Sequence, residues 1–316
     1  MSLADHVRML GRGPGRSRSL TQDEAADAMT LMLSDDAAPE AVGALLMLLR
    51  MKGETAEEIA GFAEAARRAA PALPAVDLDW PSYAAGRTRG APWFLLSARL
   101  IARSGRRVLL HGWNGPDGAV RDGLAKLDIP VAASPEAMAR ALDDHGLVYA
   151  PLEDLHPALF SLLALRDRLG LRACSNTVCR MLNPGGAPAG VQGGFHPSYR
   201  LLQAAAAALL GWRALTVIKG GGGEAERHPG KAAESFGLRD GRPWTGRFAA
   251  LREAPARLAD LTDADPAAVW AGTADDPVAV DLVVGAAAVA LHTLGDPTPE
   301  DTARDLWLAR HDRLAA

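Results

Sequence analysis

Residues 214–226 read Ala214-Leu215-Thr216-Val217-Ile218-Lys219-Gly220-Gly221-Gly222-Gly223-Glu224-Ala225-Glu226. The first five form an apolar run with β-branched residues, which predicts a buried strand. The glycines that follow let backbone N–H groups approach an anion closely. Two carboxylates beside a phosphate suit Mg²⁺, which is often held partly by protein and partly by substrate phosphates. The segment therefore predicts a strand that leads into a site for a phosphorylated ligand.

Around this segment, from Val76 onward, short apolar runs alternate with helical stretches. Expected strands are 108–110, 129–132, 147–150 and 215–218. Expected helices are 93–104, 116–127, 135–143, 156–169, 198–210 and 278–294. This order favours an α/β fold with a mostly parallel sheet. Residues 219–275 carry few periodic signals, so we expect them to be rich in loops.

Residues 1–70 are expected to be entirely helical. Thr21 with Glu24 and Thr55 with Glu58 are capping boxes, each opening a helix. Pro39 opens another helix that is apolar nearly all round, so it is buried under its neighbours or in a subunit interface. We therefore predict a small helical domain, 1–72, followed by a larger α/β domain, 73–316.

Composition narrows the classes of function. The chain has 316 residues, a net charge of −4 and two cysteines, so overall charge gives no reason to expect nucleic acid. Cys174 and Cys179 have the spacing of neither a zinc pair nor a redox pair, and we expect reduced thiols. The N-terminus lacks the apolar core of a signal peptide, and the longest apolar run is too short to span a bilayer. These features favour a cytoplasmic protein without a membrane partner.

Several motifs together carry a family resemblance. They are Leu20-Thr21 with Glu24-Ala25, Gly43-Ala44-Leu45-Leu46, Arg50-Met51-Lys52-Gly53-Glu54-Thr55, Ala150-Pro151 with His156-Pro157-Ala158, and Arg172 through Asn176 with Leu182-Asn183-Pro184. This pattern resembles the family 3 glycosyltransferases, whose best-known member is anthranilate phosphoribosyltransferase. The resemblance covers most of the chain. It implies the fold class shared by that enzyme and the pyrimidine nucleoside phosphorylases, a site in the cleft between the two domains, and a homodimer through the helical domain.

The resemblance also implies roles for individual residues. Arg172 would bind the acceptor carboxylate, and Asn176 and His111 would lie in the cleft as further catalytic candidates. Glu224 and Glu226 fall where the family binds its metal, which would be Mg²⁺, although here an alanine separates the pair. Lys219, Gly221 and Gly222 are candidates for binding phosphate. For His156 we expect a helix cap rather than a ligand contact, and for the two glutamates a solvated surface loop is the competing interpretation.

The chain departs from the family where the diphosphate should bind. The family's Gly-Thr-Gly-Gly-Asp loop is replaced by a segment containing Gly86, Arg87, Thr88 and Arg89. Its Lys-His-Gly-Asn-Arg loop becomes Leu110-His111-Gly112-Trp113-Asn114, and its Asn-Ile-Ser-Thr-Ala helix start becomes Trp93-Phe94-Leu95-Leu96-Ser97.

Between Pro81 and Pro116 there are six arginines and no acidic residue, a local positive field that suits phosphate. The pattern resembles a divergent, anthranilate phosphoribosyltransferase-like branch with which nucleic-acid binding has been associated. Three hypotheses stay open: a divergent phosphoribosyltransferase that does not use anthranilate, a protein that binds single-stranded nucleic acid, and a sensor of a phosphorylated metabolite. Gly86 to Arg89 and Asn114 would contact the phosphates in any of them.

Overall fold

A computed structural model of the chain describes residues 1–83, 90–113, 118–220, 224–253 and 262–312. The helices are α1 Leu3–Gly11, α2 Gln22–Met32, α3 Pro39–Lys52, α4 Ala56–Ala69, α5 Phe94–Arg103, α6 Ala119–Lys126, α7 Pro135–His145, α8 Leu152–Leu155, α9 Pro157–Ala164, α10 Arg166–Leu169, α11 Ser175–Arg180, α12 Pro197–Leu209, α13 Pro266–Ala271, α14 Pro277–Thr293 and α15 Pro299–Leu308. The strands are β1 Leu78–Ser82, β2 Val108–Gly112, β3 Leu147–Pro151, β4 Ala189–Gly193, β5 Ala214–Ile218, β6 Ala233–Arg239 and β7 Arg242–Phe248. None of the helices in these ranges is long and apolar enough to cross a membrane.

The N-terminal region is a small bundle of four helices, α1 to α4. Both predicted capping boxes are present: Thr21 with Glu24 opens α2, and Thr55 with Glu58 opens α4. Pro39 is the first residue of α3, as expected. Helix α4 packs against α2 on one side and against α11 and α12 of the following region on the other. The bundle therefore shares part of its core with the rest of the chain.

The larger region is built on one seven-stranded sheet with the order β3-β2-β1-β4-β5-β6-β7. Strands β1 to β5 are parallel, whereas β6 and β7 pair antiparallel at one edge. All residues of the five parallel strands are buried, since helices cover both faces. This confirms the small helical bundle and the larger, mostly parallel α/β region.

One local expectation is wrong and one is incomplete. Residues 129–132 form no strand; only Val131 makes an isolated bridge to Tyr149. Pro130 in this segment has no N–H to donate to a ladder, which explains why pairing stops there. The region 219–275 contains the β6–β7 hairpin instead of loops alone. Its turn, Asp240-Gly241, has positive φ at both residues, as a two-residue hairpin turn requires.

Candidate functional site

The carboxyl ends of the parallel strands meet at one edge of the sheet. Strands β1 and β4 are neighbours there, although β1 continues to β2 on its other side and β4 to β5. This is the point at which the strand order reverses, and in open α/β sheets ligands bind in the crevice outside it. Ser82, Gly193 and Ile218 end β1, β4 and β5, so the Lys219–Glu226 segment starts beside this crevice.

The two carboxylates after β5 are buried and turned inward. The hydroxyl of Ser82 donates to Oε1 of Glu224 at 3.1 Å, and the backbone N–H of Phe94 donates to Oε1 of Glu226 at 3.1 Å. The Glu226 N–H also donates to the Glu224 carbonyl at 2.8 Å, which closes a tight turn around Ala225. Glu224 and Glu226 are 0% and 1% exposed. These acids are therefore built into the edge of the sheet, which disagrees with the interpretation of a solvated surface loop.

The first glycine of the run is required by close packing. A Cβ atom on Gly220 would lie 1.9 Å from the carbonyl oxygen of Glu224 and 3.0 Å from the Cα of Gly193. No side chain fits in that space. Gly220 thus lets the loop fold back against β4 and directs the acids toward β1 and α5.

Arg180 and Asn176, both on α11, join this cluster. Arg180 donates from Nη1 to the carbonyl of Gly193 at 2.9 Å and from Nε to Oδ1 of Asn176 at 3.4 Å. Asn176 in turn donates to the carbonyl of Tyr83 at 3.1 Å. Burial lowers the pKa of the Arg180 guanidinium, and the nearby Glu224 carboxylate opposes that shift. Arg180 is thus a buried cation close to an acid that was a metal candidate.

His111 lies at the end of β2 and is completely buried. Its Nδ1 is 2.8 Å from the hydroxyl of Tyr83, and its Nε2 is 3.1 Å from Oδ1 of Asp79. Burial raises the pKa of the Tyr83 phenol well above its ordinary value, so the phenol keeps its proton and donates to the ring. Both ring nitrogens of His111 therefore face protein groups. In this arrangement His111 orients the end of β1, and a direct ligand contact stays a prediction.

The start of α5 offers little room to an anion. Glu226 binds the Phe94 amide, the Leu95 amide donates to Pro92, and the Leu96 amide donates to Trp93. The side chains of this turn are all buried, at 0–3% exposure: Trp93, Phe94, Leu95 and Leu96. A helix N-terminus normally attracts anions through its free amides, but here these amides already have partners.

A positively charged rim lies beside this cluster. Arg172 lines a small pocket together with Trp113, Arg166 and Asn176. Burial, followed by the charges of Arg166 and Arg50, lowers the pKa of Arg172. Arg166 and Arg50 are therefore close enough to repel Arg172. A rim with several arginines suits an anionic group.

An aromatic group continues the rim at the start of α12 and just before it. Phe195 is 65% exposed, and the rings of Phe195 and His196 meet edge to face at 5.0 Å. Tyr199 donates its hydroxyl to Oε2 of Glu54, in the family motif that follows α3, at 3.1 Å. We call Arg50, Arg166, Arg172, Phe195 and Tyr199 the rim. It joins the helical bundle to the carboxyl edge of the sheet.

The predicted site residues that the structure describes therefore lie at four places. Asn176, which is half-buried, belongs with Glu224 and Glu226 to one polar cluster, while Arg172 lies on the rim and His111 lies beneath the end of β1. Lys219 is exposed at the end of β5. Several candidates lie outside the described residues: Gly86, Arg87, Thr88, Arg89, Asn114, Gly221 and Gly222.

Four residues of the cluster or of the His111 contacts were not assigned a role from the sequence: Asp79, Ser82, Tyr83 and Arg180. The first three lie in β1 or directly after it, before the altered loop, and this position was the available signal. No sequence signal pointed to Arg180, because its burial depends on how α11 packs. In the described ranges no three His, Cys, Asp or Glu side chains gather into a metal site. A cation held by Glu224 and Glu226 would thus need ligands from the substrate or from water.

Comparison with known proteins links this geometry to a family. The helical bundle domain of the glycosyl transferase family matches residues 5–70. An anthranilate phosphoribosyltransferase from Moorella thermoacetica is 32% identical over 209 residues, 65% of this chain and 62% of that protein. The chain therefore aligns with less than two thirds of that relative. An enzyme of the same name from Geobacillus kaustophilus is 30% identical over 296 residues, 88% of this chain and 86% of its own length.

Solved structures extend the similarity across the chain. The anthranilate phosphoribosyltransferase of Thermus thermophilus superposes with a TM-score of 0.80 at 25% identity, covering 98% of this chain and 94% of that one. The enzyme from Saccharomyces cerevisiae, solved in complex with PRPP and Mg, gives a TM-score of 0.77 at 19% identity, covering 98% and 93%. At that identity the yeast structure supports the fold alone.

Proposed function

Because this chain belongs to the anthranilate phosphoribosyltransferase family, we propose that it binds a phosphorylated ribose ligand with Mg²⁺ at the carboxyl edge of its sheet and transfers the ribosyl group to an acceptor other than anthranilate. The observation that carries this proposal is the buried polar cluster of Ser82, Asn176, Arg180, Glu224 and Glu226 beside the β1–β4 crevice. Burying this many polar groups costs free energy, so we expect the cluster to serve a function.

The metal part of the proposal rests on the chemistry of the donor atoms. Glu224 and Glu226 supply carboxylate oxygens, and Ser82 supplies a hydroxyl that contacts Glu224. Mg²⁺ prefers such hard oxygen ligands and commonly completes its shell with substrate phosphates. Bound Mg²⁺ would neutralise the diphosphate as it leaves the ribose. The guanidinium of Arg180, which contacts Asn176 and lies near Glu224, would supply further positive charge.

We expect an acceptor other than anthranilate because the family's phosphate-binding elements are replaced in this chain. The glycine-rich loop is missing from the sequence, and the α5 start is closed by Glu226 and by buried apolar side chains. A ligand that needs free amides at both places would bind poorly. The Arg50, Arg166 and Arg172 side chains of the rim favour an acceptor that still carries negative charge.

Calorimetric titration of phosphoribosyl pyrophosphate with Mg²⁺ into the full chain tests the proposal. We expect Glu224→Gln and Glu226→Gln to weaken metal-dependent binding by about tenfold or more, or about 1.4 kcal/mol. Glu234→Gln is the matched control, since Glu234 is an exposed carboxylate on β6. Circular dichroism would establish that each variant is folded. Absence of heat at roughly millimolar ligand, or equal losses in the control, would overturn the proposal.

The acceptor is tested separately. Anthranilate should fail to consume the phosphoribosyl donor under conditions in which donor binding is observed. Formation of a phosphoribosylated anthranilate at rates typical of enzymes, about 1 per second or faster, would contradict the claim of a different acceptor while leaving the transferase assignment intact.

Binding of single-stranded nucleic acid is the second candidate, and the rim favours it. Exposed aromatic rings such as Phe195 can stack on bases, and the arginines can follow a phosphate backbone. We would measure oligonucleotide affinity against salt. Replacement of Arg50 and Arg172 by Gln should reduce the slope by about 0.7 per lost phosphate contact. Arg213→Gln, which changes a residue that is 74% exposed before β5, is the control. A salt-independent affinity would exclude this candidate.

A homodimer through the helical bundle is a further part of the proposal. Helix α3 buries Val42, Leu45, Leu46 and Leu49 but leaves Met51 82% exposed. Light scattering would give the mass directly. We expect Met51→Glu to shift the mass toward the monomer, and a wild-type protein that is monomeric at all concentrations would contradict this part.

A further inference from the structure

A second pocket lies at the β7 side of the sheet, between this edge strand and the start of α15. Its volume is about 370 Å³, within the usual range for small-molecule sites. It is lined by residues of β7, the end of α14, and the loop and first turn of α15. None of these residues belongs to the polar cluster or to the rim.

The floor of this pocket is aromatic. The ring of His292 lies 5.1 Å from that of Trp244 and meets the ring of Phe248 edge to face at 5.4 Å. Gly246 makes room for the indole, since a Cβ atom there would lie 2.3 Å from the Trp244 ring. Arg239 donates to Nδ1 of His292 at 2.6 Å, so Nε2 carries the proton and remains a donor. The guanidinium of Arg239 also lies 4.1 Å from the centre of the Trp244 ring, so it covers one face of the indole. The floor thus offers aromatic surface with one N–H group.

Charges of opposite sign line the pocket. Arg247 on β7 is exposed and lines the pocket, as do Glu300 and Asp301 in the first turn of α15. Among the described residues, Arg247 forms no ion pair with either acid within 4 Å. Glu300 already pairs with Arg227, whereas Arg247 and Asp301 form no ion pair within 4 Å among the described residues. Opposite charges around one aromatic floor match a ligand that carries both charges and a flat or apolar side chain.

We propose that this pocket binds a free amino acid with an aromatic or large apolar side chain, as an effector. Arg247 binds the carboxylate, Glu300 and Asp301 bind the ammonium group, and the side chain lies on Trp244 and Phe248. Arg–carboxylate pairs and ring contacts of this kind are the common means of amino-acid recognition.

The pocket is connected to the polar cluster through one buried arginine. Arg227 directly follows Glu226, its side chain is fully buried, and its Nη1 donates to Oε1 of Glu300 at 2.8 Å. The guanidinium also lies 5.1 Å from the centre of the Phe248 ring. A ligand ammonium that attracts Glu300 would therefore loosen the anchor beside Glu226. This linkage rests on the proposed function, whereas the binding of an amino acid does not.

Calorimetry on the full chain without metal tests the site itself. The probes are L-phenylalanine, phenethylamine, which lacks the carboxylate, and 3-phenylpropionate, which lacks the ammonium group. We expect the amino acid to bind about tenfold or more tightly than either analogue. Arg247→Gln should make the amino acid bind no more tightly than phenethylamine. Asp301→Asn should make it bind no more tightly than 3-phenylpropionate. Absence of heat from the aromatic amino acids and leucine at about 10 mM, or equal affinities for all three probes, would overturn the proposal.

Matched controls lie on the same elements. Arg242→Gln changes another exposed arginine of β7, and Asp305→Asn an exposed acid farther along α15. Neither residue lines the pocket, so affinities should stay at the wild-type value. Equal losses in variant and control would also overturn the proposal.

The linkage has its own measurement. Saturating amino acid should change the Mg²⁺ affinity, and Mg²⁺ should change the amino-acid affinity by the same factor, typically about 5- to 150-fold. An unchanged Mg²⁺ affinity together with amino-acid binding would overturn the linkage. Absence of Mg²⁺ binding under all conditions would instead count against the proposed function.

Discussion

Glu58 gathers three donors in the interior of the helical bundle. It is fully buried and accepts from the Leu20 amide at 2.9 Å, the Thr55 amide at 2.8 Å and the Lys52 ammonium at 2.8 Å. Two of these bonds fix the chain before α2 and before α4. Removal of the carboxylate leaves the buried Leu20 amide and two partly buried donors without this acceptor, which costs more than the mean value of a hydrogen bond.

We therefore expect Glu58→Ala to lower the free energy of unfolding by about 2–4 kcal/mol. Urea denaturation followed by circular dichroism would measure the loss. Glu57→Ala is the control, because Glu57 is an exposed neighbour in the same first turn, and its effect should stay within about 0.5 kcal/mol. Similar losses in both variants would mean that the network around Glu58 contributes little.

His156 makes stability depend on pH. Its Nε2 is 3.0 Å from the Ala66 carbonyl, and its Nδ1 accepts from the Leu159 amide at 3.4 Å, which caps α9 as the sequence predicted. Burial lowers its pKa below the ordinary 6.5, with the backbone contacts opposing the shift. The folded state therefore binds fewer protons than the unfolded state, and stability present above pH 6.5 is lost as the pH falls through the folded pKa.

His156→Asn keeps an acceptor for the cap but removes the titrating ring. We expect a lower stability at pH 7.5 and a smaller decrease between pH 7.5 and pH 5 than in the wild type. Unfolding free energies from urea titrations at the two pH values would show this. His196→Asn, at an exposed histidine, is the control and should keep the wild-type decrease. If the unfolding free energy of His156→Asn decreases between pH 7.5 and pH 5 as much as that of the wild type, His156 is not the source of this pH dependence.

Helices α2 and α4 cross at Gly61. A Cβ atom on Gly61 would lie 2.1 Å from the Gln22 carbonyl and 2.8 Å from the Ala25 side chain. A Cβ atom on Gly43 in α3 would meet, among the described residues, just a Leu169 methyl at 3.9 Å. A Gly→Ala substitution would therefore place its methyl group against backbone at Gly61 but in open space at Gly43.

We expect Gly61→Ala to destabilise the protein by about 1–3 kcal/mol, because two packed helices must move apart. Gly43→Ala should stabilise it by about 0.5–1 kcal/mol through the helix propensity of alanine. Thermal and urea unfolding would give both signs. A stabilising effect at Gly61 would mean that the two helices are less closely packed than described.

The elements also show what local rules could predict. The capping boxes of α2 and α4 and the Pro39 start of α3 depend on residues within one turn, so the sequence predicts them. The Glu226–Phe94 and Ser82–Glu224 contacts join positions 132 and 142 residues apart. Such contacts follow from the strand order, which no local pattern determines. The family resemblance identified the acids, but their partners needed the fold.

At the level of the molecule, the helical bundle and the sheet are parts of one structure. Helix α4 buries residues on nearly all sides: Glu58, Ile59, Ala60, Gly61, Phe62, Ala63, Ala65 and Ala66. A single layer of neighbours cannot cover a whole helix. Helix α2 covers one side, α11 and α12 cover another, and His156 binds the Ala66 carbonyl near its end.

This arrangement predicts the behaviour of residues 1–72 as an isolated fragment. The fragment would expose the face of α4 that α11 and α12 cover, and a chain of this length already buries only about 60% of its unfolded surface. We therefore expect helical circular dichroism but a broad urea transition, with little dispersion in the amide NMR spectrum. The full chain should unfold in a cooperative transition under the same conditions. A sharp transition and a dispersed spectrum for the fragment would establish residues 1–72 as an independent domain and would assign the α4–α12 contact to a docking interface between two folded units.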